Sequence, residues 1–279
     1  MRIIGNRGNT ARKVQAVASG VLASGDTVIV NANGTVSVVA GANAGAGTPA
    51  TVDSTSDANK DSCSVYDAAS GKVVIAYQKD AGGYSGRAIV GTISGTNISF
   101  GSVVTFTTNE VGKIAITYDS NAEKVFIAYR DKSNSSYVTG VVGTVSGTSI
   151  SFGTPAVPNS NGSSEVSVDF DSNSNKILLA YRQGNGYGIA EAITISGTSF
   201  SSGSASTFNS GNVKGIDTAF STSANRFVIV YTDSDQANKA RYIVATISGA
   251  NVVYGTEGDA SNVYSNYTNV AYDSGQDKF

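Results

Sequence analysis

The chain has 279 residues, with 19 Lys and Arg against 21 Asp and Glu, one cysteine, and neither histidine nor tryptophan. A net charge of -2 gives no basic field for nucleic acid, no run of about 18 apolar residues suits membrane insertion, and the missing histidine removes Ser-His-Asp triads, His-ligated zinc and Cys-His nucleophiles. Charged residues are only 14% and Gly numbers 32, so strands joined by tight turns are expected rather than helices.

Residues 1–25 gather Arg2, Arg7, Arg12 and Lys13 and read as an exposed leader or attachment segment, without the apolar run of a signal peptide. The lone thiol, Cys63, makes no internal disulfide, which fits synthesis in a reducing cytoplasm. Residues 26–54 read as N-terminal strands: 26–30, a turn at Asn31-Ala-Asn-Gly34, then 35–40. Gly47-Thr-Pro-Ala50 matches Gly153-Thr-Pro-Ala156 and is expected to supply a closing outer strand.

Beyond that point the chain repeats itself. Aromatic residues followed by Asp, or in one copy by Ser221, stand at Tyr66, Tyr118, Phe170, Phe220 and Tyr272, in steps of 52, 52, 50 and 52 residues. The runs KVVIAY, KVFIAY, KILLAY and RFVIVY end at Tyr77, Tyr129, Tyr181 and Tyr231, and Ser-Gly turns begin at Ser94, Ser146, Ser196 and Ser248. A fixed period of this size signals a solenoid or a propeller. The units lie at about 61–112, 113–164, 165–212 and 213–266, with a partial copy at 267–279.

The second unit predicts four strands, at 113–119, 124–130, 137–145 and 149–157, with Asx-rich and Ser-Gly turns between them. Its second strand is apolar at consecutive positions (Val125, Phe126, Ile127, Ala128), which marks a sheet covered on both faces. Such sheets shield one another when stacked about an axis, so the expected fold is all-β, a β-propeller of four-stranded blades; a β-solenoid or a stacked hairpin fibre is the alternative. Gly91 and Gly143 are read as points where a neighbour comes close. The last unit stops inside its second strand, so either the sequence is truncated or residues 26–54 complete that blade.

Few residues suggest chemistry. Two carboxylates suffice for glycoside hydrolysis, but Asp67, Asp119, Asp171 and Asp273 recur at one equivalent turn, which points to a structural job. No enzymatic activity, catalytic residue or cofactor is expected. Asp171, Asn173 and Asn175 alternate like the oxygen ligands of a calcium loop, without its Gly and distant Glu, and fit an ordinary Asx turn better. Tyr84, Tyr137 and Tyr187 sit near the start of the third strands among Gly, Ser and Asn, where aromatic rings serve as platforms for sugars or simply pack with one edge wet. These three are the candidate glycan or receptor site. Lys79, Arg130 and Arg182, after the second strands, read as solvated loop charges.

GVLASGDTVIVNANGTVSVVAG, followed by repeats of the type YDSNAEKVFIAYRD and VGTVSGTSISFGTPAV, resembles repeat-containing, tail-fibre-like virion proteins of tailed bacteriophages, particularly marine ones. The resemblance implies a structural virion component assembled in the host cytoplasm and acting outside it. It would be homo-oligomeric, docked to other tail proteins through residues 1–25, and placed to touch a host-surface glycan. A cell-surface, lectin-like carbohydrate-binding propeller is the alternative.

Overall fold

The computed structural model describes residues 2–5, 12–15, 17–18, 28–30, 35–38, 47–54, 59–80 and 83–279. The chain divides into two compact units, residues 1–49 with 95–97, and residues 50–94 with 98–279. In the first unit β1 (Arg2–Gly5) pairs antiparallel with β2 (Arg12–Gln15). In a separate sheet β5 (Thr35–Val38) lies between β4 (Val28–Val30), antiparallel, and β3 (Val17–Ala18), parallel. The expected strands at 26–30 and 35–40 are therefore present in part, while the turn at 31–34 and most of the leader lie outside the described residues.

The second unit is built of the repeats, and no α-helix occurs among its described residues. The first sheet comprises β6 (Asn59–Asp67), β7 (Lys72–Lys79), β8 (Gly86–Ser94), β9 (Asn97–Phe100) and β10 (Val104–Thr107). The second holds β11 (Val111–Asp119), β12 (Lys124–Asp131), β13 (Tyr137–Ser146), β14 (Ser149–Phe152) and the start of β15 (Ala156–Asp171). The rest of β15 opens the third sheet, with β16 (Lys176–Gln183), β17 (Gly188–Ser196), β18 (Ser199–Ser202) and β19 (Ser206–Asn209). The fourth holds β20 (Val213–Ser221), β21 (Arg226–Asp233), β22 (Lys239–Ser248), β23 (Asn251–Tyr254) and β24 (Gly258–Tyr264). All pairings in these sheets are antiparallel.

The expected fourth strand is a single run over 149–157, whereas the structure breaks it in two. β14 pairs with the end of β13, and β15 pairs with its beginning. The break falls at Gly153, and the reason lies in the neighbouring sheet. A Cβ on Gly153 would overlap the backbone carbonyl of Thr198, at the Ser-Gly-Thr turn of the third sheet. Gly101 meets the Thr148 carbonyl and Gly203 the Ala250 carbonyl in the same way. Each Ser-Gly-Xaa turn is thus seated on a glycine of the unit before it. Gly91 and Gly143 do something different from what their place in the sequence suggests: they admit the side chains of their own outer hairpins, Ile98 and Phe100 or Ile150 and Phe152.

The second strands are covered on both faces, as expected, because alternate residues serve different neighbours. Val125, Ile127 and Tyr129 face Val74, Ala76, Ala88, Val90 and Phe106 of the first sheet. Phe126, Ala128 and Val142 face Ile177, Leu179, Tyr181 and Ile193 of the third. Leu178, Ala180, Ala192 and Phe208 meet Phe227, Ile229, Tyr231 and Ile243 of the fourth. Each large side chain buried this way contributes roughly 1.5–3 kcal/mol, so the sheet-to-sheet seams hold most of the core.

A backbone clasp repeats with the same period. Tyr84, Ser136, Gly186 and Asn238 are left-handed, with φ of 60°, 59°, 101° and 58°. Their carbonyls accept the amides of Val111, Ser163, Val213 and Ser265, at 2.9, 2.7, 3.0 and 2.8 Å. Every unit therefore holds the backbone where the next repeat begins: the first residue of β11 and of β20, a residue inside β15, and Ser265 after β24.

Candidate functional site

The turns between first and second strands carry the recurrent aspartates. Asp119 Oδ1 accepts the amides of Asn121 and Ala122, at 2.9 and 2.8 Å, and Asp273 Oδ1 accepts those of Gly275 and Gln276. Asp67 does the same for Ser70. Asp171 Oδ1 accepts from Asn173 and Ser174, its Oδ2 from the Ser174 hydroxyl, and Asn173 Nδ2 donates to Asn225 Oδ1. The Asp171, Asn173 and Asn175 loop is built as a capped turn, with both carboxylate oxygens taken by protein donors. Among the described residues no three His, Cys, Asp or Glu side chains gather as a metal site requires.

At the opposite end, where second strands turn into third strands, the structure separates the three tyrosines. Tyr137 and Tyr187 directly precede the third-strand residues Val138 and Gly188, which pair with Arg130 and Arg182. Gly86, their equivalent, pairs with Gln78, so the matching residue of the first unit is Ser85. Tyr84 instead holds the left-handed clasp position of Ser136 and Gly186, and the Lys132 ammonium lies 5.6 Å from its ring centre. The three rings thus do not form one set of equivalent platforms. Tyr187 is the most open of them, at 37% exposure.

Lys79, Arg130 and Arg182 are not free loop charges. Lys79 is buried, Arg130 Nη2 donates to Ser136 Oγ at 2.9 Å, and Arg182 donates to Ser164 Oγ at 2.9 Å and to Asn212 Oδ1 at 2.8 Å. This last pair starts a polar network along the seam between the third and fourth sheets. The Asn212 amide donates to Asp235 Oδ2 (2.9 Å), and the Gly211 amide to Asn209 Oδ1 (2.7 Å). Asn209 Nδ2 donates to Glu257 Oε1 at 2.9 Å and lies 3.4 Å from Asp233 Oδ2. Glu257 Oε1 also accepts from the Tyr231 hydroxyl. Its Oε2 takes Arg241 Nη2 at 2.9 Å, and Arg241 Nε stands 3.2 Å from Asp259 Oδ1.

The network grades from a dry floor to a wet rim. Tyr231 is fully buried, and its hydroxyl is pushed well above the ordinary phenol range, first by burial and then by the bond to Glu257. The side chains of Arg241, Glu257 and Asp259 are 18%, 29% and 43% exposed. Two guanidinium groups, Arg182 and Arg241, stand among four carboxylates, Asp233, Asp235, Glu257 and Asp259, so the seam is net negative. Fixed carboxylate, amide and guanidinium groups can donate to and accept from a hydroxyl-rich ligand, while the charge balance repels anions.

No family model matches the sequence, and no curated protein matches it. Among solved structures the chain is similar to a variant of exo-β-1,3-galactanase from Phanerochaete chrysosporium with β-1,3-galactotriose, at 10% identity and a TM-score of 0.46, over 67% of this chain and 47% of that one. It is also similar to a variant of the Aleuria aurantia lectin in complex with Fucα1-6GlcNAc, at 15% identity and a TM-score of 0.45, over 67% of this chain and 57% of that one. The chain spans about half the length of those structures. One expectation is corrected here: with a glycoside hydrolase among the similar structures, the ground for setting enzymes aside is withdrawn.

None of the seam was singled out as a ligand site in the sequence. Arg87 and Arg241 occupy the same third-strand position in the first and fourth units, and each meets a carboxylate beside a buried tyrosine. Arg87 lies 3.5 Å from Asp53, which accepts from Tyr77 at 3.0 Å. That recurrence, in GRAIV and ARYIV, was the available signal. Asp53 and Glu257 give no matching signal, because they stand on opposite sides of their arginines in the chain.

Proposed function

We propose that the repeat sheets are blades of a β-propeller and that the seam between the third and fourth blades binds a neutral carbohydrate. The propeller reading is supported by three successive face-to-face seams with the same glycine seat and backbone clasp. The carbohydrate reading is carried by the Asn209, Glu257, Arg241 and Asp259 network, partly open to water and continued by Arg182 through Asn212. Sugars are recognised by a few such fixed donors and acceptors. Glycan-array binding of the intact chain tests it, with Asn209→Ala, Arg182→Ala and Asp259→Asn as variants. Binding to neutral glycans that falls at least tenfold in these variants, at unchanged melting temperature, is the expected result. No glycan bound, or full binding by all three, removes the reading.

A second reading places this module on a virion, where a host-surface glycan would be its ligand and further copies or tail proteins its partners. It rests on the repeat motif VGTVSGTSISFGT, whose Ser-Gly-Thr element serves as the joint between sheets. Mass spectrometry of purified phage particles tests it; absence of the chain from them ends it.

A further inference from the structure

The fourth sheet keeps, on the outer part of the face away from the third, the features by which the earlier sheets receive the turns and outer strands of their successors. The glycine seats Gly101, Gly153 and Gly203 are each filled by a carbonyl of the following Ser-Gly-Xaa turn. Among the described residues their counterpart, Gly255, has only its own sheet nearby, with Val244 O and Cβ at 3.7 and 3.8 Å from an ideal Cβ. Around it lies an open pocket lined by Arg226, Val244, Thr246, Val253 and Gly255. Each successor-facing surface also carries one aromatic ring: Phe106, Phe126, Phe208 and, in the fourth sheet, Tyr242. The first three are at most 7% exposed, and Tyr242 is 37% exposed. Val228 and Val244 stay partly exposed where their equivalents Phe126 and Val142 are at most 1% exposed.

The inner part of this face is already dressed. The Ser265 amide takes the Asn238 clasp at 2.8 Å, Thr268 Oγ1 donates to the Gly215 carbonyl, and the Val270 amide donates to Asp217 Oδ2 at 2.9 Å. A complete sheet, with an inner strand of its own, would collide with 265–272. We infer that the outward face of the fourth sheet is a docking site for the second, third and outer strands of one more sheet of this same repeat type, with its Ser-Gly-Xaa turn seated on Gly255. The occupant is identified by continuity with the three seams already formed. It needs an apolar second strand of the KVFIAY kind and a left-handed glycine turn carrying a free carbonyl.

The test adds that unit to the intact chain. Residues 126–164 are appended after Phe279, which stands at the position of Val125, to give an extended chain compared with the 279-residue protein. The expected result is a melting temperature several degrees higher and at least tenfold slower hydrogen exchange over β22 and β23. Gly255→Ala should remove both gains in the extended chain while shifting the 279-residue protein by no more than about a degree. Unchanged exchange in a folded extended chain, or an equal effect of Gly255→Ala in both proteins, overturns the proposal. Should the extension not fold, sedimentation of the 279-residue protein decides: concentration-dependent self-association abolished by Gly255→Ala would make a second copy the occupant and overturn it as stated. A monomer whose exchange over β22 and β23 slows at least tenfold on adding a synthetic peptide of residues 124–152, in a Gly255-dependent way, would support it.

Discussion

The carbonyl of Thr198 occupies the space that a side chain on Gly153 would need, so a turn in one sheet and a glycine in the sheet before it form a single joint. Because the obstacle is backbone, Gly153→Ala has no flexible group to push aside. A loss of about 3 kcal/mol is expected, at the upper end for overpacking. Gly197 differs, since it has φ of 62° and open space around it; Gly197→Ala should cost only about 1 kcal/mol. Chemical denaturation of the two variants checks the ranking.

Asp169 reaches from the third sheet to the fourth, where its Oδ2 accepts the Phe220 amide at 2.6 Å. Burial raises its carboxyl to about 6, partly offset by the Phe170 and Phe220 amides, with Asp217 adding a further upward push. A carboxyl raised on folding binds its proton more tightly in the native state, so stability falls as pH rises between about 4 and 6. The loss amounts to about 2–3 kcal/mol. Asp169→Asn should flatten that part of the pH–stability curve, measured by urea unfolding at pH 4, 5, 6 and 7.

Tyr181 and Glu191 form a buried pair, hydroxyl to Oε1 at 2.6 Å. Burial raises the Glu191 carboxyl, and the Tyr181 hydroxyl, which bonds its charged form, is the main force lowering it again. Tyr181→Phe removes that donor and should cost about 2 kcal/mol. The cost should grow as pH rises, because the lost donor bonds the ionised form; urea unfolding at pH 4 and pH 8 measures it. Restored stability in the Tyr181→Phe, Glu191→Leu double variant would confirm that the unpaired charge is the cause.

Cys63 is half-buried, and its thiol is pushed up to about 12 by burial and then by the charge of Asp61. Little thiolate exists at pH 8, so alkylation by iodoacetamide should run about a thousandfold slower than for a free cysteine. Denaturant should restore the ordinary rate, read as a mass shift with time.

The period, the order of strands and turns within each unit and the two-faced cover of KVFIAY were all legible, because each shows in short runs of consecutive residues that recur along the chain. The split of the fourth strand was not, since its cause is the Thr198 turn of another unit. Tyr84 looked like a match for Tyr137 and Tyr187, but only pairing register shows that it stands one step earlier. The seam network was hidden for a related reason. Arg182 finds Asn212, and Asn209 finds Glu257, across 30 and 48 residues, and nothing local marks either as paired.

β15 runs unbroken from the edge of the second sheet to the first strand of the third. Those two sheets therefore share one strand, whose pairing register shifts on the way across, rather than being joined by a separate linker. The junctions on either side, at 108–110 and 210–212, are short connectors instead. One of these connectors, 210–212, borders the seam that holds Arg182, Asn209 and Arg241, so that joint is sewn by side-chain bonds where its neighbour is sewn by the strand itself.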